Sequence, residues 1–287
     1  MAEIIDGKAI SAEVREQIKA DSAEFEKNTG IKPGLAVIIV GEDPASKIYV
    51  RNKARACEEV GFYSEVYELP EDTSEKNLVE LVHSLNHNNL IHGILVQSPL
   101  PKHLDEALIV NNIFPEKDVD AFHPENVGRI MIGEYSFLPC TPAGIMELLA
   151  QYKIDVSGKE CVVIGRSNIV GKPMAMLLLH ANGTVTVCHS RTQNLAEHTK
   201  RADIVVVAVG KPKFLKGDMI KDGAVVIDVG MDRDENGKLC GDADFESCSQ
   251  KASYITPVPG GVGPMTITML MKNTLTAAHI YAKKHNI

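Results

Sequence analysis

The chain has 287 residues, 44% of them hydrophobic, which is enough for two ordinary domains with well-formed cores and is unlike the composition of a disordered chain. A formal charge of −8 argues against a general binder of nucleic acid or of a membrane surface, while leaving room for a local basic pocket around a small anion. No basic segment leads into an apolar core at the N-terminus and no apolar run approaches the length of a membrane span, so a cytoplasmic protein with small-molecule partners is expected.

Apolar strands alternate with helical patterns along the chain. The first half reads as a helix over about 8–28, a strand at 35–40, a helix over about 44–60, a strand at 64–69, a helix over about 74–89, a strand at 93–97 and a short helix after Pro101. Between about 128 and 141 the periodicity fades around Gly133 and Pro139, as in a linker. A second run follows, with strands at 161–164, 185–188, 204–209, 224–229 and 254–257 and helices over 172–181 and 192–202. The segment DRDENGKLCGDADFE (232–246) reads as a solvated excursion, and 265–284 as one long helix. Alternation of this kind predicts an α/β protein made of two α/β domains with parallel sheets, the second Rossmann-like, with an active-site cleft between them. The expected domains are 1–140 and 141–265, with the helix of 266–287 packing back on the first.

The sharpest local signal is CVVIGRSNIVGKP (161–173), where a β-branched run breaks at Gly165 and Gly171 opens a helical pattern. Glycines there let the backbone approach a ligand, and the unpaired N–H groups of a helix start attract an anion such as a phosphate. The dinucleotide fingerprint has a second glycine where this chain has Ser167, so the turn alone also fits an ordinary strand-to-helix loop. The next strand ends about 20 residues on at His189, Ser190 and Arg191, where an NAD enzyme would place an acid against the ribose hydroxyl. A hydroxyl and a guanidinium suit a 2′-phosphate instead, which favours NADP.

Other candidates lie at expected strand ends or on one helix face. Tyr49 and Lys53 are four apart and share a face, a pairing able to handle a proton, although exposed helix lysines are common. Gln97 precedes the rigid Ser98-Pro99-Leu100-Pro101, and Asp118 and Asp120 sit in a loop where ligand binding and turn capping are equally good readings. The six cysteines form no C-x-x-C pair and read as structural thiols, and His83 and His87 have no third metal ligand near in sequence, so no metal is expected.

YVRNKARACEEVGF (49–62), VQSPLP (96–101), KDVDAFHP (117–124), TPAG (141–144), GRSNIVGKP (165–173), DVG (228–230) and PGGVGPMT (259–266) follow one another in this order. Together they resemble the bifunctional methylenetetrahydrofolate dehydrogenase/cyclohydrolase family, in its two-activity bacterial form, over nearly the whole chain. The resemblance implies oxidation of 5,10-methylenetetrahydrofolate with NADP, then hydrolysis of the methenyl product to 10-formyltetrahydrofolate, in a homodimer with tetrahydrofolate derivatives as partners. It makes Lys53 the catalytic lysine, Tyr49 the ring against the aminobenzoyl group, Gln97 the residue that tunes the lysine, and Asp120 the carboxylate that holds the pterin. By the same resemblance, Gly165, Arg166, Ser167, Ser190 and Met231 are cofactor-binding, beside Arg191 from the reading of the strand end above, and Pro259, Gly260 and Gly261 line the substrate side. One departure is Ala121, where many relatives have glycine after the aspartate.

Three other readings remain open on sequence grounds. A short-chain dehydrogenase also uses Y-x-x-x-K, but after an N-terminal glycine-rich turn, whereas here it precedes the turn by more than a hundred residues. An amino-acid dehydrogenase would keep the domain order and leave KDVD and PGGVGP unexplained. An NADP-sensing module would bind cofactor without turnover.

Overall fold

A computed structural model describes all 287 residues. In chain order the elements are β1 (Glu3–Ile4), α1 (Gly7–Thr29), β2 (Gly34–Val40), α2 (Pro44–Glu59), β3 (Tyr63–Leu69), α3 (Glu75–Asn86), β4 (Gly93–Val96), α4 (Glu106–Asn112), α5 (Pro124–Ile132) and α6 (Cys140–Gln151). They continue with β5 (Glu160–Ile164), α7 (Gly171–His180), β6 (Thr184–Cys188), α8 (Leu195–Thr199), β7 (Ile204–Val207), β8 (Val225–Asp228), β9 (Asp232–Arg233), β10 (Leu239–Cys240), α9 (Phe245–Ser249), β11 (Tyr254–Ile255) and α10 (Val262–His285). Two compact units result, one made of 13–140 with 267–287 and the other of 1–12 with 141–266. The first twelve residues thus group with the second unit and not with 13–140, because β1 pairs in parallel with β11, Glu3 opposite Tyr254 and Ile4 opposite Ile255.

The unit built on 13–140 holds a three-stranded parallel sheet in the order β3-β2-β4. All seven residues of β2, GLAVIIV, are buried, as an unbroken apolar run must be when both sheet faces are covered. One face packs Ala36, Ile38 and Ile94 against Leu78, Val82 and Leu85 of α3 and Ile109 of α4. Pro44 in the first turn of α2 and the Asp43 carboxylate, which accepts the Ser46 N–H at 2.7 Å, fix where that helix starts beyond the carboxyl end of β2.

The second unit carries a six-stranded parallel sheet in the order β1-β11-β8-β7-β5-β6. Successive strands run outward from β5 in both directions, β6 on one side and β7 on the other. The carboxyl end of β5 is therefore a topological switch point, the place where open parallel sheets bind ligands.

Two expectations change. The linker expected over 128–141 is irregular only over 133–139, since α5 runs through 128–132: His123 caps the start of α5 by accepting the Glu125 N–H, Pro124 occupies its first turn, and Gly133, at φ 80°, ends it as a left-handed C-cap. The glycine that looked like a loop marker is the stop of a nine-residue helix. The charged 232–246 segment is also less solvated than it reads, since it forms the β9–β10 hairpin and then buries Asp242 and Ala243 completely or nearly so. No helix is long and apolar enough to cross a membrane.

Candidate active site

In the first unit, three of the expected residues converge. Gln97 leaves the carboxyl end of β4 with its N–H bonded to the Ile38 carbonyl at 2.8 Å, and its side-chain amide donates to the Ser98 carbonyl at 2.7 Å. That leaves Gln97 Oε1 aimed outward, and the Lys53 ammonium donates to it at 2.9 Å. Tyr49, one turn earlier on α2, is exposed on the same helix face. Asp120 is half-buried, and its Oδ1 lies 3.7 Å from the Cys140 thiol.

Burial dominates the electrostatics of this cluster. It lowers the pKa of Lys53 below the usual lysine value, against the opposing pull of the Asp120 charge. It raises Asp120 to about 6, with the Lys53 charge pulling down and the Asp118 charge pushing further up. Burial likewise holds the Cys140 thiol well above its ordinary value, so it remains a neutral donor. A lysine that gives up its proton more readily and an acid that keeps its proton longer are the tuned pair that proton-transfer chemistry needs.

Asp118 takes the other of its two readings. Its carboxylate accepts the His123 N–H and the Asn126 amide, each at 2.8 Å, and so closes the loop that presents Asp120. In that loop Ala121 is buried with φ 58°, the left-handed conformation that glycine adopts freely and that costs another residue about 1–2 kcal/mol. The departure from glycine leaves the turn intact and adds strain to it.

In the second unit, the loop from β5 into α7 is shaped by its glycines. Gly165 has φ 130°, and a Cβ built there would stand 2.3 Å from the Ala208 carbonyl oxygen; one on Gly171 would meet the Gly165 oxygen at the same distance. The Gly165 N–H bonds the Cys188 carbonyl at 2.9 Å, which sets this loop beside the turn after β6. There the Thr192 hydroxyl and the His189 ring tie down 189–192 and leave Ser190 and Arg191 exposed. Arg166 is exposed as well, and neither guanidinium is in an ion pair. Ser167 Oγ accepts from the N–H groups of Val170 and Gly171 at 3.1 and 3.2 Å, so the serine caps the helix start. Met231 follows β8 with its methyl end over Gly263, and Pro259, Gly260 and Gly261 follow β11, with Gly260 at φ 105° and the Gly261 carbonyl against Gly7. These two groups belong to the second unit, whereas Tyr49, Lys53, Gln97 and Asp120 belong to the first.

Residues 5–120 match the family model described as the tetrahydrofolate dehydrogenase/cyclohydrolase catalytic domain, and residues 139–282 match its NAD(P)-binding domain. The chain belongs to the tetrahydrofolate dehydrogenase/cyclohydrolase family. A relative from Acetivibrio thermocellus, named bifunctional protein FolD, is 62% identical over 98% of this chain and 99% of its own length. Among solved structures, the bifunctional enzyme FolD from Campylobacter jejuni, a methylenetetrahydrofolate dehydrogenase/cyclohydrolase, superposes with a TM-score of 0.95 at 52% identity, covering 98% of this chain and 99% of that one. The methylenetetrahydrofolate dehydrogenase-cyclohydrolase of Trypanosoma brucei, solved with NADP and an inhibitor, gives 0.93 at 40% identity, covering all of this chain and 99% of that one.

Residues outside the expected set also shape this tetrahydrofolate dehydrogenase/cyclohydrolase. Cys140 reads from sequence as one more structural thiol, and only the fold brings it to Asp120. Asp242 sits in the stretch that reads as solvated, yet its carboxylate accepts the N–H groups of Val209, Gly210 and Lys211 at 2.6–3.2 Å and fixes the loop at the carboxyl end of β7. Asp228, buried at the end of β8, accepts from Gly230, Asp242 and Ala243 at 2.9 Å each, and burial raises it to about 6. An aspartate among charges gives no sequence signal when its partners are backbone amides some thirty residues away.

Proposed function

We propose that this chain oxidises 5,10-methylenetetrahydrofolate to the methenyl cation with NADP and hydrolyses the cation to 10-formyltetrahydrofolate, using Lys53, Gln97 and Asp120 in its catalytic domain. The observation that carries the reading is the Lys53 ammonium, tied to Gln97 at 2.9 Å and depressed in pKa by burial, within the catalytic domain of a folate family.

NADP fits the second unit. Gly165 and Gly171, where a Cβ would strike neighbouring backbone, let the turn from β5 into α7 close as tightly as a dinucleotide-binding turn requires, and Arg166, Ser190 and Arg191 offer two unpaired cations and a hydroxyl for a 2′-phosphate. When bound, NADP supplies the acceptor for the hydride that leaves the bridge carbon. Met231 adds an apolar contact, and Pro259, Gly260 and Gly261 line the substrate side.

The catalytic residues bind, orient and move a proton. Asp120 as carboxylate accepts hydrogen bonds from the N–H edge of the pterin, and Tyr49 packs against the aminobenzoyl ring. After oxidation, water adds to the cationic bridge carbon and neutral Lys53 takes the departing proton at Nζ. As the bond from that carbon to N5 breaks, N5 is protonated, and loss of the hydroxyl proton gives the formyl group on N10 with one net proton released. Lys53 must be neutral for this step. Burial favours that form, the adjacent methenyl cation favours it further, and Gln97 holds the nitrogen in place.

Steady-state turnover of methylenetetrahydrofolate, followed by absorbance with NADP, NAD or neither, tests the reading. Cofactor binding without turnover would make the protein a sensing module instead. A cytoplasmic homodimer is part of the proposal: β6 ends its sheet as an open parallel edge with Thr184 and Val187 exposed, a surface suited to a second copy.

A further inference from the structure

Asp120 is presented by a loop whose next residue, Ala121, is held in a left-handed conformation. A backbone of that kind persists only where its surroundings over-determine it. Part of the restraint is internal: the Ala121 N–H bonds the Asp118 carbonyl at 3.1 Å, and Asp118 itself is pinned by His123 and Asn126. The rest comes from α10. Asn273, 8% exposed, donates its side-chain amide to the Val119 carbonyl and to the Leu138 carbonyl, each at 2.8 Å, and lies 3.7 Å from Cys140 Sγ.

Both hydrogens of one amide are thus used on two different segments, the residue before Asp120 and the strip leading to Cys140. The Cys140 thiol in turn faces the Val119 carbonyl and Asp120 Oδ1, both at 3.7 Å. We propose that Asn273 is a positioning residue for Asp120, acting through the Val119 carbonyl and the Cys140 thiol to fix the direction of the carboxylate. The proposal rests on the reading above that Asp120 binds the pterin. Asn273 touches no reacting atom; it sets how well Asp120 does so.

The test is a double-mutant cycle on methylenetetrahydrofolate affinity and on kcat/KM for both reactions, using Asn273→Ala, Asp120→Ala and the pair. Asn273→Ala should cut kcat/KM about 10- to 100-fold, the scale expected when a binding group is misplaced by about an ångström. NADP affinity should stay within about twofold, since the cofactor loop belongs to the other unit. In the Asp120→Ala background the same change should cost nothing further. The acid limb of the pH profile should move up, because Asp120 loses the thiol donor that stabilises its charge while Lys53 of α2 and Asp118 of its own loop still face it. Adding Ala121→Gly should recover part of the loss by relieving the turn.

A lower melting temperature with unchanged kinetic constants and pH limb would show Asn273 to be merely structural and overturn the proposal, as would a full additional loss in the Asp120→Ala background. Undiminished folate affinity in Asp120→Ala alone would instead refute the underlying reading of Asp120. Should Asn273→Ala not fold, Asn273→Ser, which keeps one donor, carries the same cycle; failure of both to fold would assign Asn273 a structural role and overturn the proposal.

Discussion

Replacing Lys53 by methionine removes the amine while keeping an unbranched stem of similar volume on α2. Losing a positioned general base typically slows a step by about a hundred- to ten-thousand-fold, or about 2.7–5.4 kcal/mol in the barrier. Oxidation of the methylene bridge requires no base on the protein, because a folate nitrogen lone pair expels the hydride. The hydrolytic step should therefore collapse while dehydrogenase activity falls far less, and the product released should change from formyl to methenyl. One side effect follows from the electrostatics: Lys53 lowers the Asp120 pKa, which already stands at about 6, so its loss moves Asp120 further up. Activities should thus be compared at about pH 8, where Asp120 remains ionised in both proteins. The assay is loss of methenyl absorbance, corrected for spontaneous hydrolysis, beside NADP-coupled oxidation and direct NADP binding. Gln97→Ala should give a milder version, since the lysine would keep its amine but lose its 2.9 Å anchor. Wild-type methenyl hydrolysis in Lys53→Met would remove this lysine from the mechanism.

Three further outcomes are expected. Arg166→Ala with Arg191→Ala should weaken NADP about 10- to 100-fold, the worth of one or two charge-assisted bonds to the 2′-phosphate, and leave NAD nearly unchanged in a direct binding titration; an unaltered ratio would end that assignment. Folate affinity should fall as pH drops through about 6, because burial has raised the Asp120 pKa from 3.8 and protonation removes the acceptor; Asp120→Asn should flatten this dependence, and a dependence that persists there belongs to another group. Gly165→Ala should destabilise the second unit by at least about 2 kcal/mol, seen as a lower melting temperature and lost NADP binding, because its Cβ would stand 2.3 Å from the Ala208 oxygen at φ 130°; wild-type thermal behaviour would contradict the close packing described.

How much of this was legible in the sequence depended on the range of the interactions involved. The run at 35–40 announces a strand buried on both faces, and Asp43-Pro44 announces a helix start, because each signal lies within a few residues of its effect. The Tyr49 and Lys53 face needs only helical spacing, and the glycine turn after β5 only local backbone geometry. What stayed hidden was built at a distance. β1 is two residues long and exists through its pairing with β11 some 250 residues later, so no periodicity could reveal it. Gly133 looks the same to a local pattern whether it breaks a loop or caps α5, and the helix before it is short. Asp242 and Asn273 carry their weight by bonding distant backbone, a role that leaves no pattern around the residue itself.

The cap at the start of α7 bears on what kind of partner the cofactor loop can accept. A serine hydroxyl has two lone pairs and one proton, and at Ser167 the oxygen already receives two N–H groups. Only its proton is left to offer. The residue therefore faces solvent as a donor and refuses other donors, and the two bonds it receives polarise its O–H, handing the positive end of the helix one atom further out. A chain with glycine in that place would present bare amides to any anion of the right size. Here the amides of Val170 and Gly171 are spoken for, so an anion at this loop would be met by the adjustable Ser167 hydroxyl beside the exposed Arg166, and NADP binding should depend on guanidinium charge and weaken measurably as salt is raised.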